Sequence, residues 1–255
     1  MVKKVAKVTL VQRLVSEGLS ASCEVATKEV LAGLVRVNGV VVDKVGTTVA
    51  MDAEIQVTSR KEFVSRAAYK LEAALNAFGV PVSGAVCADV GACTGGFTEI
   101  LLQRGAKRVF AIDVGYGDLD WKVRSDPRVA VMERTNARYV ESLEEAVSVI
   151  VIDVSFISLD KILPVAVKWF GSQSGHIVAL IKPQFEAVRE DIGEGGIVRD
   201  PVVHAAVCAR IESLLPGLGL QKRGLEPSPI LGVEGNKEFL LWAQLSQRDK
   251  EDRNC

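Results

Sequence analysis

From residue 85 onward one pattern recurs: a short apolar run rich in valine and isoleucine, a small-residue or polar turn, then a stretch at helical spacing. The runs are AVCADVG, VFAIDVG, VAVMER, SVIVIDVS and HIVALIK. They do not alternate apolar with polar residues, as a strand with one wet face would. Each is therefore expected to be buried on both faces, as strands are in a parallel sheet flanked by helices. FTEILLQRG and LDKILPVAVKWF supply helices between them, and the alternation predicts a doubly wound α/β domain. After a helix around PVVHAAVCARIESLL, the runs LQKRGLEPSPI and KEFLLWAQL are joined by a short loop with Gly232 and Gly235, which predicts a terminal antiparallel hairpin.

The first 58 residues follow a different rhythm. VTLVQRLVSEGLS and EVATKEVLAGLV read as two short helices with Gly18 and Gly33 at their C-terminal caps. VRVNGVVVDKVGTTVAMDAEIQV then alternates, with Asn38-Gly39 as a tight turn between short strands. Residues 1–58 thus form an expected α+β module, 59–64 a polar linker, 65–247 the α/β domain and 248–255 a flexible tail. VSRAAYKLEAALNAFGV is expected to open the second domain as an amphipathic helix, with Ser65 as N-cap and Gly79 near its end.

Charge gives no global cationic signal. The chain has 31 Lys+Arg against 32 Asp+Glu, and residues 1–60 carry 8 against 6, a slight basic bias that neither requires nor excludes nucleic acid. The five cysteines include no C-x-x-C pair, so no metal site or disulfide framework is expected and a reducing cytosol fits best. Lys7, Gln12 and Arg13 interrupt any secretory apolar segment at the N-terminus. The longest apolar run, AVSVIVIDVSFISL, is broken by Asp153 and is too short to span a bilayer, so a cytoplasmic protein without membrane association is expected.

DVGACTGGFT, residues 89–98, sits where ligands bind in such a sheet, at the carboxyl end of a strand. Its spacing is G-x-x-x-G-G, a poor match to the G-x-G-x-x-G that cradles a pyrophosphate. Its glycines let the backbone approach a ligand, Asp89 begins the turn, and Asp113 at the next strand end could accept hydrogen bonds from a ribose diol. The plain alternative is a tight strand-to-helix turn and nothing more. Two carboxylates at successive strand ends favour the ligand.

VSRAAYKLEAAL, DVGACTGGFT, WKVRSDPRV, ERTNAR, IDVSFISL, IKPQFE and GNKEFLL, in that order, resemble the TlyA family. That family joins a small S4-like RNA-binding domain to an FtsJ-like methyltransferase domain with a Rossmann-like, class I S-adenosylmethionine-dependent fold. The resemblance implies S-adenosylmethionine as cofactor, no metal, and ribose 2′-O-methylation of ribosomal RNA, at cytidines of 16S and 23S rRNA in the ribosomal subunits. It places Gly91, Gly95 and Gly96 at the methionine moiety, Asp113 at the ribose and Asn136 near the adenine, with Asp89, Cys93, Thr94 and Phe97 completing the cofactor set. The family's Lys-Asp-Lys-Glu tetrad falls on Lys70, Asp153, Lys182 and Glu238. In this assignment Lys182 accepts the hydroxyl proton, Asp153 and Glu238 orient Lys182, and Lys70 helps to position the hydroxyl. Taken singly, Lys70 would be a solvated helix lysine and Glu238 a surface strand residue; Asp153 and Lys182 end apolar strands, where burial without partners would be costly.

In the S4-like module Cys23 stands where the family's signature has arginine, which removes one phosphate or base contact. Arg13, Lys28, Arg36 and Lys44 remain as candidate phosphate partners, extended by Arg60, Lys61 and Arg66; solvated surface charge is the plain reading of each. The 5% aromatic fraction argues for recognition of folded RNA shape with the target nucleotide turned out, rather than many stacking platforms. Two other readings stand beside this one. TlyA proteins also carry the name hemolysin, which points to a membrane-active cytolysin, although no transmembrane span or strongly basic amphipathic stretch supports it. The other is a non-catalytic RNA-binding protein that keeps the fold.

Overall fold

A computed structural model of the chain describes residues 7–31, 33–57 and 63–246. The chain divides into two compact units, residues 1–62 and 63–255. The expected tail 248–255 and residues 59–62 of the expected linker lie outside the described residues.

The first unit contains β1 (Lys7–Thr9), α1 (Leu10–Ser16), α2 (Cys23–Leu31), β2 (Val35–Val37), β3 (Val40–Val42), β4 (Thr48–Ala50) and β5 (Ile55–Val57). β1 pairs antiparallel with β4, and β3-β2-β5 form a second small sheet. Val8 and Thr9 belong to a strand rather than to the first helix, because Thr9 is extended and caps α1 by accepting from the Gln12 N–H at 3.3 Å. Asn38 and Gly39 both have positive φ, +50° and +80°, as a two-residue hairpin turn between right-twisted strands requires. Leu10, Leu14, Ala26, Val30, Val35 and Val49 are the buried core of this α+β, S4-like unit.

The second unit runs α3 (Ala67–Phe78), β6 (Val86–Val90), α4 (Gly96–Gln103), β7 (Arg108–Ile112), α5 (Trp121–Arg124), β8 (Val129–Met132), β9 (Val149–Ile152), α6 (Leu163–Ala166), β10 (Gly175–Ile181), α7 (Pro183–Glu186), α8 (Pro201–Leu214), β11 (Leu220–Pro227) and β12 (Phe239–Leu245). The sheet order is β11-β12-β10-β9-β6-β7-β8. β6 through β10 are parallel to their neighbours, and β12 enters antiparallel between β10 and β11. Alternate strand residues feed opposite core layers: Ala88, Phe110, Ile150 and Ile177 on one side, Cys87, Val109, Val149 and Val178 on the other. That is the two-faced burial the unbroken apolar runs called for.

Three local expectations change. Ser65 does not cap α3: Arg66 holds that position in helical geometry, while the Ser65 hydroxyl is buried without a partner in the space where Gly96 lacks a side chain. LDKILPVAVKWF does not make one helix. Pro164 has no N–H to donate, and the segment breaks into a 3-10 turn, the four-residue α6 and a second 3-10 turn. The β11–β12 connection is an eleven-residue loop, 228–238, braced where Gly232 N–H meets the Asn236 carbonyl at 2.8 Å. The strand order reverses beside β6, between β7 on one side and β9 on the other, so the carboxyl ends of β6 and β9 define the ligand crevice.

Candidate active site

Gly91 follows β6 and Asp153 follows β9, and they touch. Gly91 has φ +86°, and a β-carbon there would collide with the Asp153 carbonyl. Gly95, at φ +93°, would bring its β-carbon to 2.9 Å from Leu119 Cδ1, and Gly96 would strike the Ser65 hydroxyl. The glycines were expected to open backbone to a ligand, but the protein itself fills the space their side chains would occupy. Their missing side chains let strand end, loop and helix close on one another.

The cleft beside this turn is lined by Ala92, Cys93, Ala111, Asp113, Gly115, Asp118, Leu119, Val131 and Glu133. Asp113 straddles it: Oδ2 accepts from the Cys93 N–H at 2.8 Å and Oδ1 from the Gly115 N–H at 2.7 Å. Cys93 is held at φ +47°, and burial raises its thiol pKa above the ordinary value. Of the expected cofactor set, only Cys93 and Asp113 line the cleft. The Thr94 carbonyl accepts from Asp120 N–H at 3.2 Å, Phe97 is buried in the core layer beneath, and Asn136 caps the turn 137–139 by accepting from Arg138 N–H at 3.1 Å. Glu133 and Asp118 are additions. Glu133 follows β8 as Asp113 follows β7, so VAVMER carried the same signal as FAIDVG. The Arg124 guanidinium holds Glu133 below the usual carboxylate range.

Asp89, on β6 itself, is fully buried. Thr98 Oγ1 donates to its Oδ2 at 2.6 Å, while Oδ1 has no hydrogen-bond partner. Burial raises its pKa to about 7, opposed by the Thr98 hydrogen bond and reinforced by the charge of Asp153. Cys87, two residues earlier, is pushed up to about 12 by burial and then by Asp89.

The tetrad forms two lysine–carboxylate pairs. Lys182 Nζ lies 2.7 Å from Asp153 Oδ1 as a charge contact, and its aligned hydrogen bond goes to Ser155 Oγ at 2.9 Å. Lys70 Nζ donates to Glu238 Oε2 at 2.6 Å, with the residues only 8% and 2% exposed. This burial rules out the solvated readings of both. The register brings the pairs to one edge: Ile181 pairs with Phe239 and Ile152 with Ala179, so Asp153, Lys182 and Glu238 lie at the same end of three neighbouring strands. Glu238 was expected to orient Lys182; it holds Lys70 instead.

The expected RNA contacts of the first unit divide. Arg13 is not a phosphate partner: it is 6% exposed, donating from Nε to Glu17 and from a terminal nitrogen to the Ala50 carbonyl at 2.5 Å. Arg13→Ala is expected to lower the melting temperature of the first unit, at a cost of about 1–3 kcal/mol for the buried hydrogen bonds, and to leave the salt dependence of RNA binding unchanged. Lys28 pairs with Glu24 on the exposed face of α2, and Arg36 donates to the Gly39 carbonyl at 2.9 Å. Lys44 and Arg66 are exposed, Cys23 is exposed, and Arg60 and Lys61 lie outside the described residues.

A parallel sheet with a reversed last hairpin, a glycine turn and acid at successive strand ends, and paired lysines beside them define a class I S-adenosylmethionine-dependent methyltransferase fold. Residues 63–245 match the FtsJ-like methyltransferase family. The chain is 44% identical over 241 residues, covering 93% of it and 89% of the relative, to the 16S/23S rRNA (cytidine-2′-O)-methyltransferase TlyA of Mycobacterium tuberculosis. It is 42% identical over 228 residues, 88% of it and 95% of the relative, to Hemolysin A of Brachyspira hyodysenteriae. A solved structure of a hemolysin-named protein from Streptococcus thermophilus superposes with a TM-score of 0.71 at 42% identity, covering 95% of this chain and 90% of the other. The chain belongs to the FtsJ-like methyltransferases and, within them, to the TlyA family.

Proposed function

We propose that the chain transfers a methyl group from S-adenosylmethionine to the 2′-hydroxyl of cytidine in ribosomal RNA, of both 16S and 23S type, with ribosomal subunits as the substrate. The observation that carries this reading is the placing of Asp153, Lys182 and Glu238 at the same end of three neighbouring strands, with Lys182 paired to Asp153 and Lys70 held buried by Glu238. The cleft lining suits S-adenosylmethionine: Asp113 and Glu133 are acceptors for a sugar diol and an amine. When bound, the cofactor supplies an electrophilic methyl group on a cationic sulfur. Lys182, fixed by Asp153 and Ser155, first gives up its ammonium proton to solvent and then, as the neutral amine, takes the proton from the 2′-hydroxyl as that oxygen is alkylated. Lys70, anchored by Glu238, positions that hydroxyl, and holding the two reactants in line contributes much of the acceleration.

Methyl-labelled S-adenosylmethionine incubated with the protein and separated 30S and 50S subunits lacking the modification tests the reading. Label in 16S and 23S rRNA at cytidine 2′-oxygen is the expected result; label in neither, with cofactor bound, would overturn it. No helix among the described residues is long and apolar enough to cross a membrane.

A further inference from the structure

Glu186 is the last residue of α7, which begins directly after Lys182, and the reaction described above gives it no part. Its side chain is only 2% exposed, and its partners come from elsewhere in the fold. The Leu159 N–H donates to Oε1 at 2.8 Å and the Ser158 hydroxyl to Oε2 at 2.6 Å, while the Arg210 guanidinium from α8 pairs with Oε2. Ser158 and Leu159 end the loop that begins at Asp153 and carries Ser155. That loop and the segment 182–186 are therefore joined twice: Lys182 to Asp153 and Ser155 at one end, Glu186 to Ser158 and Leu159 at the other. We propose that Glu186 is a positioning residue for methyl transfer: it acts through Lys182, by fixing the loop that sets Asp153 and Ser155 on the lysine amine. The proposal rests on the proton-acceptor role given above for Lys182 and deepens it.

The loop does not hold its shape by local preference. Phe156, between the two joins, has φ +63°, a left-handed conformation that is unfavourable for a bulky residue and persists only where the surroundings fix it. Phe156 is 90% exposed, so burial of its side chain does not supply that constraint. Its ring instead lies 4.9 Å, centroid to centroid, from the ring of Phe185, on the same segment as Lys182 and Glu186. Ser155 is exposed as well, and its hydroxyl accepts from Lys182. At the far end of the loop the Leu159 side chain is seated in the core, 1% exposed. Glu186 ties that fixed seat to the strand end that bears Lys182. A buried carboxylate that accepts from a backbone N–H, a hydroxyl and a guanidinium at once makes strong, directional bonds, so the join is stiff. Without it the Leu159 N–H and Arg210 lose their acceptor, and Ser155 is free to follow Phe156 out of its strained turn. Lys182 then loses one of its two partners, and a misplacement of about 1 Å at a reacting group can slow transfer by about a hundredfold.

Single-turnover transfer of labelled methyl to unmodified subunits by the full chain, with S-adenosylmethionine affinity and a thermal melt measured beside it, is the test. Glu186→Ala is expected to lower the transfer rate roughly ten- to a hundredfold and to leave cofactor affinity unchanged. Glu186→Gln is expected to restore most of the rate, because its amide oxygen still accepts from the Leu159 N–H and the Ser158 hydroxyl. The comparison that separates positioning from plain stability is made beside Lys182→Ala. A residue that acts through the amine has nothing left to position there, so Glu186→Ala adds no further loss. Ser158→Ala removes one donor and leaves the carboxylate paired with Leu159 and Arg210. It is expected to show a smaller loss with the same dependence on Lys182, and it serves if Glu186→Ala does not fold. An unchanged rate in Glu186→Ala, or in Ser158→Ala where the first does not fold, would overturn the inference. So would a glutamine variant as slow as the alanine one, or an equal loss with and without Lys182. No transfer by the unaltered protein, with cofactor bound, would overturn the methyltransferase reading itself, and this inference with it.

Discussion

Replacing Lys182 by alanine is expected to lower kcat for methyl transfer roughly 10²–10⁴-fold, the range for loss of a positioned proton acceptor, while cofactor and RNA affinities hold. Lys182→Arg distinguishes chemistry from charge. Arginine keeps the cation beside Asp153 and Ser155 but does not give up its proton in a protein, so it cannot accept another. If Lys182 takes the hydroxyl proton, arginine is as inactive as alanine in single-turnover transfer to unmodified subunits. If arginine restores most of the rate, Lys182 acts as a positioning charge and the proton leaves by another route. Because Asp153 loses its charged partner in the alanine variant, a thermal melt run beside the assay is needed to separate lost chemistry from lost stability.

How far this site could be read from the sequence depended on the kind of signal. Strands were legible because VCADV, VFAI and VIVI have no polar residue facing away from a core, and only a sheet covered on both sides hides such runs. Asp153, Lys182 and Glu238 were legible as ends of strands or motifs, yet their partnership was not. Which lysine meets which carboxylate follows from the β10–β12 register and from where α3 lies, both long-range facts with no local trace. The glycines were found for a reason the structure changes: Gly91 is small because the Asp153 carbonyl is there, and a sequence cannot say which neighbour fills a missing side chain. Arg13 was misread because arginine on a short helix normally faces water, and only the tertiary placement of the Ala50 carbonyl turns it inward. Glu133 was missed although its position after a strand matched that of Asp113.

Glu238→Leu is expected to destabilise the second unit by about 3–5 kcal/mol, since it leaves the Lys70 ammonium buried without a counter-charge. For a domain of this size that is a fall in melting temperature of about 6–20 °C. Lys70→Met should cost a similar amount by stranding the carboxylate. The double variant is expected to recover most of the loss, because an apolar pair of similar volume avoids the desolvation of both charges. Thermal melts of the four proteins close a double-mutant cycle, and near-additive losses would show that the two side chains do not depend on each other for stability. The double variant has a further use. Folded, but without the lysine that positions the hydroxyl, it should bind cofactor and transfer no methyl group. Normal turnover in that protein would mean that Lys70 and Glu238 serve only to hold α3 against β12, and that Lys182 with Asp153 suffices for the reaction.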